Sequence, residues 1–237
     1  MMPDAASVIF ALQQLADPTR LAGMKRYAIG NDHTLGVTLP DIRTLGKTLR
    51  KSGDQNERHA LALALWKSGI HEARILASLV EDPTAVTKKQ MDDWTYDFYS
   101  WDICDQVCGN LFHHLPFFLE RAFTYSHAKT AFVKRAGFVL MVEYVVHHVD
   151  ADDTCYLDFL QRIEEEAWDD RNFVKKALNW CLRQVGKRNQ FLHRKAIACA
   201  QRLLKQPHRA AHRIARDALR ELQGEDVLRR LQQKTKK

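Results

Sequence analysis

Glycine and proline are scarce in this chain, ten and six residues, where average usage would place roughly 16 and 12 in this length. Tight turns are therefore few, which argues against a many-stranded fold. The five cysteines, Cys104, Cys108, Cys155, Cys181 and Cys199, are odd in number and form no CxxC pair. They read as reduced thiols inside helices and exclude a disulfide framework. No apolar run approaches the ~20 residues that span a bilayer. The N-terminus MMPDAASVIF also lacks a basic region followed by an apolar stretch and a cleavage site, so a soluble, cytoplasmic protein is expected. There is no GxGxxG, GxxxxGK(S/T) or GxSxG, which removes the phosphate-cradling loops and the serine nucleophile elbow. Asp102, Cys104 and Cys108 beside His113 and His114 match no zinc spacing. Neither a metal nor a cofactor is expected.

What the chain has is charge, unevenly placed. From Arg171 to the end there are 19 Lys and Arg against four Asp and Glu, a net of +15; the preceding residues hold 17 against 25, a net of −8. These C-terminal charges lie within helical patterns, so the basic end reads as a surface built to meet polyanions.

Apolar residues recur at i, i+3, i+4 and i+7 in HALALALWKSGI, EARILASLV, TAFVKRAGFVLMVEYVV, YLDFLQRIEEEAW, NFVKKALNWCLRQVG, RKAIACAQRLL and RIARDALRELQ, the helical period. YVVHHV has strand propensity but continues a helical pattern without an alternating partner, and it is assigned to the helix. Breaks fall at NDHTLGVTLP, KSG, EDPT, HHVDADD, VGKRN, KQPH and QGED. None is long enough to be a linker. A single domain over 1–233 with a short basic tail at 234–237 is expected, all-α and monomeric.

FVKRA at Phe132 and FVKKA at Phe173 are 41 residues apart. A period of about 40 to 47 residues built from helix pairs is that of HEAT-like or armadillo-like repeats. The expected fold is thus an all-α superhelical solenoid of HEAT-like antiparallel helix pairs. In SWDICDQVCGN, residues 100–110, Trp101 and Asp105 share a helix face. Arg135 and Trp180 fall on later helices about one repeat apart, so successive helices could bring the four together. The same residues have structural readings: the tryptophans as core aromatics, Asp105 as partner of a neighbouring group such as Arg135.

The series LALALWKSGIHEARILASLVEDP, WTYDFYSWDICDQVCGNLF, FVKRAGFVLMVEY and NFVKKALNWCLRQVGKRN resembles the AlkD-type DNA alkylation repair proteins, HEAT-like DNA glycosylases, from about Met24 to about Leu222. The resemblance implies a right-handed superhelix holding double-stranded DNA in a basic concave cleft, and removal of N3- and N7-alkylated purines by cleavage of the N-glycosidic bond on a base left in the stack. It places the catalytic aspartate on Asp105, flanked by Trp101 and Trp180. It puts a cleft arginine on Arg135, a second basic residue on Arg183, and an N-terminal aromatic on Tyr27. Where the type member has two adjacent phenylalanines, this chain has Asn172 and Phe173. Lys175, Lys176, Arg183, Lys187 and Arg188 would neutralise phosphates. Such a protein would be intracellular and, when bound to DNA, associated with the nucleoid. The alternative from a different class is a non-catalytic HEAT-like module that binds branched or distorted DNA.

Overall fold

The computed structural model describes residues 2–235, with side chains as far as Gln233. The expected basic tail, 234–237, lies outside the described side chains. Fourteen α-helices and two single turns of 3₁₀-helix make up the regular structure of the described residues, and no helix among them is long and apolar enough to cross a membrane. Contacts divide the chain into two compact units, Met1–Phe118 and Leu119–Lys237.

Unit 1 contains α1 (Ala5–Gln14), α2 (Leu21–Arg26), α3 (Leu39–Arg50), α4 (Gln55–Lys67), α5 (His71–Val80), α6 (Lys88–Tyr96) and α7 (Trp101–Asn110). Local signals set several starts. Asp54 and Glu57 form a reciprocal capping box at α4, and Thr38 caps α3 by accepting from the Asp41 amide, each cap stabilising its helix by about 1 kcal/mol. Packing then orders the helices: α5 lies against α3, α4 and α7. Trp66 stacks on Trp94 with centroids 4.2 Å apart, joining α4 to α6.

Unit 2 contains α8 (Phe118–Ser126), α9 (Ala131–His147), α10 (Thr154–Glu166), α11 (Asn172–Gly186), α12 (Gln190–Leu203), α13 (Arg209–Leu222) and α14 (Glu225–Thr235). The helix α9 is covered on all sides; every residue from Val133 to Val142 is buried, as befits a central helix. It runs through the segment YVVH, as the helical pattern predicts. Gly137 lets α8 approach it: a Cβ there would lie 2.5 Å from the Ser126 nitrogen. Lys134 is also buried, its Nζ 2.7 Å from Glu166 and 3.2 Å from Asp169 and 4.6 Å from the Trp168 ring centroid. Charge pairing is what makes a buried lysine tolerable.

The FVKxA repeat has a physical meaning. Phe132 and Phe173 occupy equivalent places on the neighbouring helices α9 and α11, and their rings touch with centroids 5.4 Å apart. Side chains also bond backbone about one repeat away: Arg135 to the Phe173 carbonyl, Arg171 to Lys129, Gln206 to Glu164. Unit 1 departs from the expected period. There α3, α5 and α7 begin at Leu39, His71 and Trp101, 32 and then 30 residues apart, whereas α9, α11 and α13 begin at Ala131, Asn172 and Arg209, 41 and then 37 apart. Shorter helices and connections in unit 1 compress the repeat. The fold is all-α, of the HEAT-like repeat class.

Candidate functional site

In unit 1 the structure brings Tyr27 and Trp101 together at the start of α7, with Asp105 one turn further along the same helix. The buried face of α7 is Ile103, Cys104, Val107 and Cys108. Trp101, Asp102 and Asp105 therefore fall on the opposite, half-buried face. Trp101 occupies the first turn and donates its indole N–H to the Tyr27 carbonyl at 2.9 Å. Trp101 is thus held by a polar tether at the surface, which differs from the core role open to it on sequence grounds.

Tyr27 closes α2 and is 66% exposed. The helix ends in a Schellman turn: the Ile29 amide donates to the Met24 carbonyl and the Ala28 amide to Lys25. Ala28 takes the left-handed position that glycine usually fills, with φ 54°. A Cβ there costs about 1 kcal/mol, held in place by the surrounding bonds. The loop that follows is pinned to α5. Buried Glu72 accepts from the amides of Leu35 at 2.9 Å and Gly36 at 2.7 Å, and Asn31 donates to the Gly69 carbonyl.

The first turn of α7 is anchored from beneath. His71, 1% exposed, places Nε2 2.8 Å from Asp102 and Nδ1 2.9 Å from the Tyr99 hydroxyl, while Ser100 donates to the other Asp102 oxygen at 2.7 Å. Burial pushes the Asp102 carboxyl up, but the hydrogen bond and charge of His71, with the Ser100 hydroxyl and the Ile103 amide, more than reverse this and hold it below the usual range. Burial raises the Tyr99 phenol far above its ordinary value. The relay Tyr99–His71–Asp102–Ser100 therefore fixes the turn that carries Trp101 and, one turn later, Asp105.

In unit 2 the structure brings Arg135, Lys175, Lys176, Trp180 and Arg183 into one cavity of about 670 Å³, with Asn172, Asn179, Arg213, Ile214 and Asp217. Arg135 is 5% exposed, and its Nη1 donates to the Phe173 carbonyl at 2.7 Å. Its guanidinium is set by α11 as well as by its own helix. Trp180 is half-buried in the wall, and Asn179 ties α11 to α13 through the Ile214 carbonyl at 2.9 Å. Phe173 lies outside this lining, packed on Phe132.

The other predicted cations are placed differently. Lys187 and Arg188 line a separate cavity of about 650 Å³ with Val145, Val146 and Val149. Arg188 donates to the carbonyls of Val145, His148 and Val149 at the end of α9 and lies 4.4 Å over the Tyr156 ring. It caps a helix C-terminus, a favourable place for a cation. Arg183 and Lys187 both reach Glu221, Lys187 at 2.8 Å. Burial raises the Glu221 carboxyl, and these two cations outweigh it, leaving the group below its usual range.

Sequence reading passed over one group of cations, Arg209, Arg213, Arg216 and Arg220. All are exposed on α13. Their spacing of four, three and four is a helical stripe, a signal present in the sequence itself.

No curated protein matches the chain. A solved structure described as "a new family of proteins related to the HEAT-like repeat DNA glycosylases with affinity for branched DNA structures" superposes with a TM-score of 0.73, over 92% of this chain and 95% of that one, at 18% identity. The model of the DNA alkylation repair enzyme family matches residues 8–222. The chain belongs to the DNA alkylation repair enzyme family.

Proposed function

We propose that the protein is a DNA glycosylase that hydrolyses the N-glycosidic bond of N3- and N7-alkylated purines in duplex DNA, with Asp105 as the catalytic carboxylate. The observation that carries the reading is the half-buried Asp105 one turn from a tethered Trp101 beside exposed Tyr27. Alkylation at N3 or N7 makes the purine cationic, so the base departs neutral and needs no strong general acid. What remains is an oxocarbenium-like sugar and an attacking water. A carboxylate meets both demands, stabilising the developing positive charge and orienting or deprotonating the water. The electron-rich face of Trp101 favours a cationic nucleotide by roughly 0.5 to 2 kcal/mol. Lys175 and Lys176 bind phosphates, with Arg135 in the same cavity; Arg183, already paired with Glu221, contributes less. Lys187 and Arg188 contribute less, because Glu221 and the end of α9 already engage them.

A second reading has its own support. The similar solved structure is described as having affinity for branched DNA, and a non-catalytic module for branched or distorted DNA would use the same basic surfaces. Asp105 separates the two. Incubation with methylated duplex DNA, with released bases resolved by chromatography, should yield 3-methyladenine or 7-methylguanine. Release no greater than in a protein-free control, with branched DNA bound more tightly than linear duplex, would replace the glycosylase with the binding module.

A further inference from the structure

On α13 four arginines stand in a row. At 100° per residue Arg209, Arg213, Arg216 and Arg220 lie within about 60° of one another, and the row extends for about 16 Å at 1.5 Å per residue. The opposite face, Ala210, Ala211, Ile214, Ala215, Ala218 and Leu222, is buried. Arg209, Arg213, Arg216 and Arg220 line a basic cavity of about 680 Å³ with Lys175, Asp170 and Asp217. Lys175, Arg213 and Asp217 also border the cavity that holds Arg135 and Trp180, so the two adjoin at α11 and α13.

An ordinary solvated helix face alternates its charges, and this one does not. Among the described residues, Arg209, Arg213 and Arg216 have no acidic partner; Arg220 alone of the four pairs, with Asp217 at 2.9 Å. Several other cations in unit 2 are engaged: Arg171 with Asp169, Arg183 and Lys187 with Glu221, Arg202 with Glu164. The row also works against its own helix. Arg209–Arg213, Arg213–Arg216 and Arg216–Arg220 are like-charged neighbours, each destabilising an exposed helix by about 0.2 to 0.5 kcal/mol. Arg209 starts the helix, where the dipole disfavours a cation, and the first turn has no acidic residue. Local rules broken without a compensating contact inside the protein point to a partner outside it.

We propose that this arginine row, continued by Lys175, is a phosphate-tracking surface that takes a DNA strand by its backbone. The proposal rests on the DNA-binding reading above and extends it to α13. A strand carries one phosphate per ~3.4 Å of duplex axis, so the row faces about five. Guanidinium forks suit phosphate oxygens bidentately. Asp170 and Asp217 are acidic interruptions in this surface and oppose the strand.

Binding of a fluorescent duplex by anisotropy between about 50 and 200 mM salt tests this. The variant Arg209→Gln with Arg213→Gln and Arg216→Gln should lower the slope of log affinity against log salt by about 3. The affinity lost across that salt range then shrinks by about 40-fold, equally for unrelated duplex sequences. Asp217→Asn should bind more tightly than the parent, and Arg202→Gln, whose cation already pairs with Glu164, should leave the slope unchanged. The triple variant removes like-charge repulsion from exposed positions, so its thermal midpoint should not fall. A parental slope in the triple variant, or a loss that depends on base sequence, would overturn the α13 surface while leaving the DNA-binding reading standing. A parent protein that binds no duplex at the lowest salt would remove both.

Discussion

Unit 1 and unit 2 repeat the same kind of helix but differ in charge and in what they hold. Met1–Phe118 carries 12 Lys and Arg against 14 Asp and Glu, net −2; Leu119–Lys237 carries 24 against 15, net +9. Unit 1 presents the Trp101 indole and, one turn later, the Asp105 carboxylate on α7, whose first turn is anchored by His71 and tied to Tyr27 at the end of α2. Unit 2 presents cations around Trp180 and along α13. Under the proposed reading, bond cleavage falls to unit 1 and affinity to unit 2.

The sharpest way to break that contrast is Asp105→Asn. Excision of methylated bases should fall about 10²- to 10³-fold, the cost of removing one group that stabilises transition-state charge, with duplex affinity within about twofold of the parent. Full activity would remove Asp105 from the chemistry. Arg135→Ala attacks the other side. It removes a buried charged donor from the Phe173 carbonyl, so stability should drop by about 2 kcal/mol and the salt slope by about 1. A variant with parental DNA binding at temperatures where it is folded would confine Arg135 to a structural role. Asp102→Asn sharpens the contrast inside unit 1. Chemical denaturation at neutral pH should show a loss of about 1.5 kcal/mol.

The pH dependence of that last effect has a definite sign. Asp102 titrates below its unfolded value, so its contribution is present above about pH 4 and is lost as pH falls through the folded value. The gap between parent and Asp102→Asn should close in acid. Asp169 and Glu221 in unit 2 are also depressed, burial being outweighed by Arg171 and Lys134 in one and by Lys187 and Arg183 in the other. They keep the Asp102→Asn variant acid-sensitive as well. A gap that stays constant below pH 4 would detach Asp102 from its ionised partner role.

Much of the helical framework was legible in sequence, because apolar spacing reports directly which face of a helix is buried. The Phe132 and Phe173 repeat was legible for the same reason, and the two rings do meet. The shorter pitch of unit 1 was not, since its helices share no residue pattern that aligns one copy with the next. The tether from Trp101 to the Tyr27 carbonyl spans 74 residues, and no local rule predicts it. His71 and Asp102 likewise find each other only across packed α5 and α7.

The amino-acid order alone determined the helices, the repeat and the excess of positive charge after Arg171, since these depend on spacing and counting. Which of those charges is available was decided only in three dimensions. Arg183 and Lys187 meet Glu221, Arg188 meets the end of α9, and Arg209, Arg213 and Arg216 meet no acid among the described residues. The reason is that a charge is neutralised by whatever lies within a few ångströms of it, and that neighbour comes from packing between helices rather than from order along the chain.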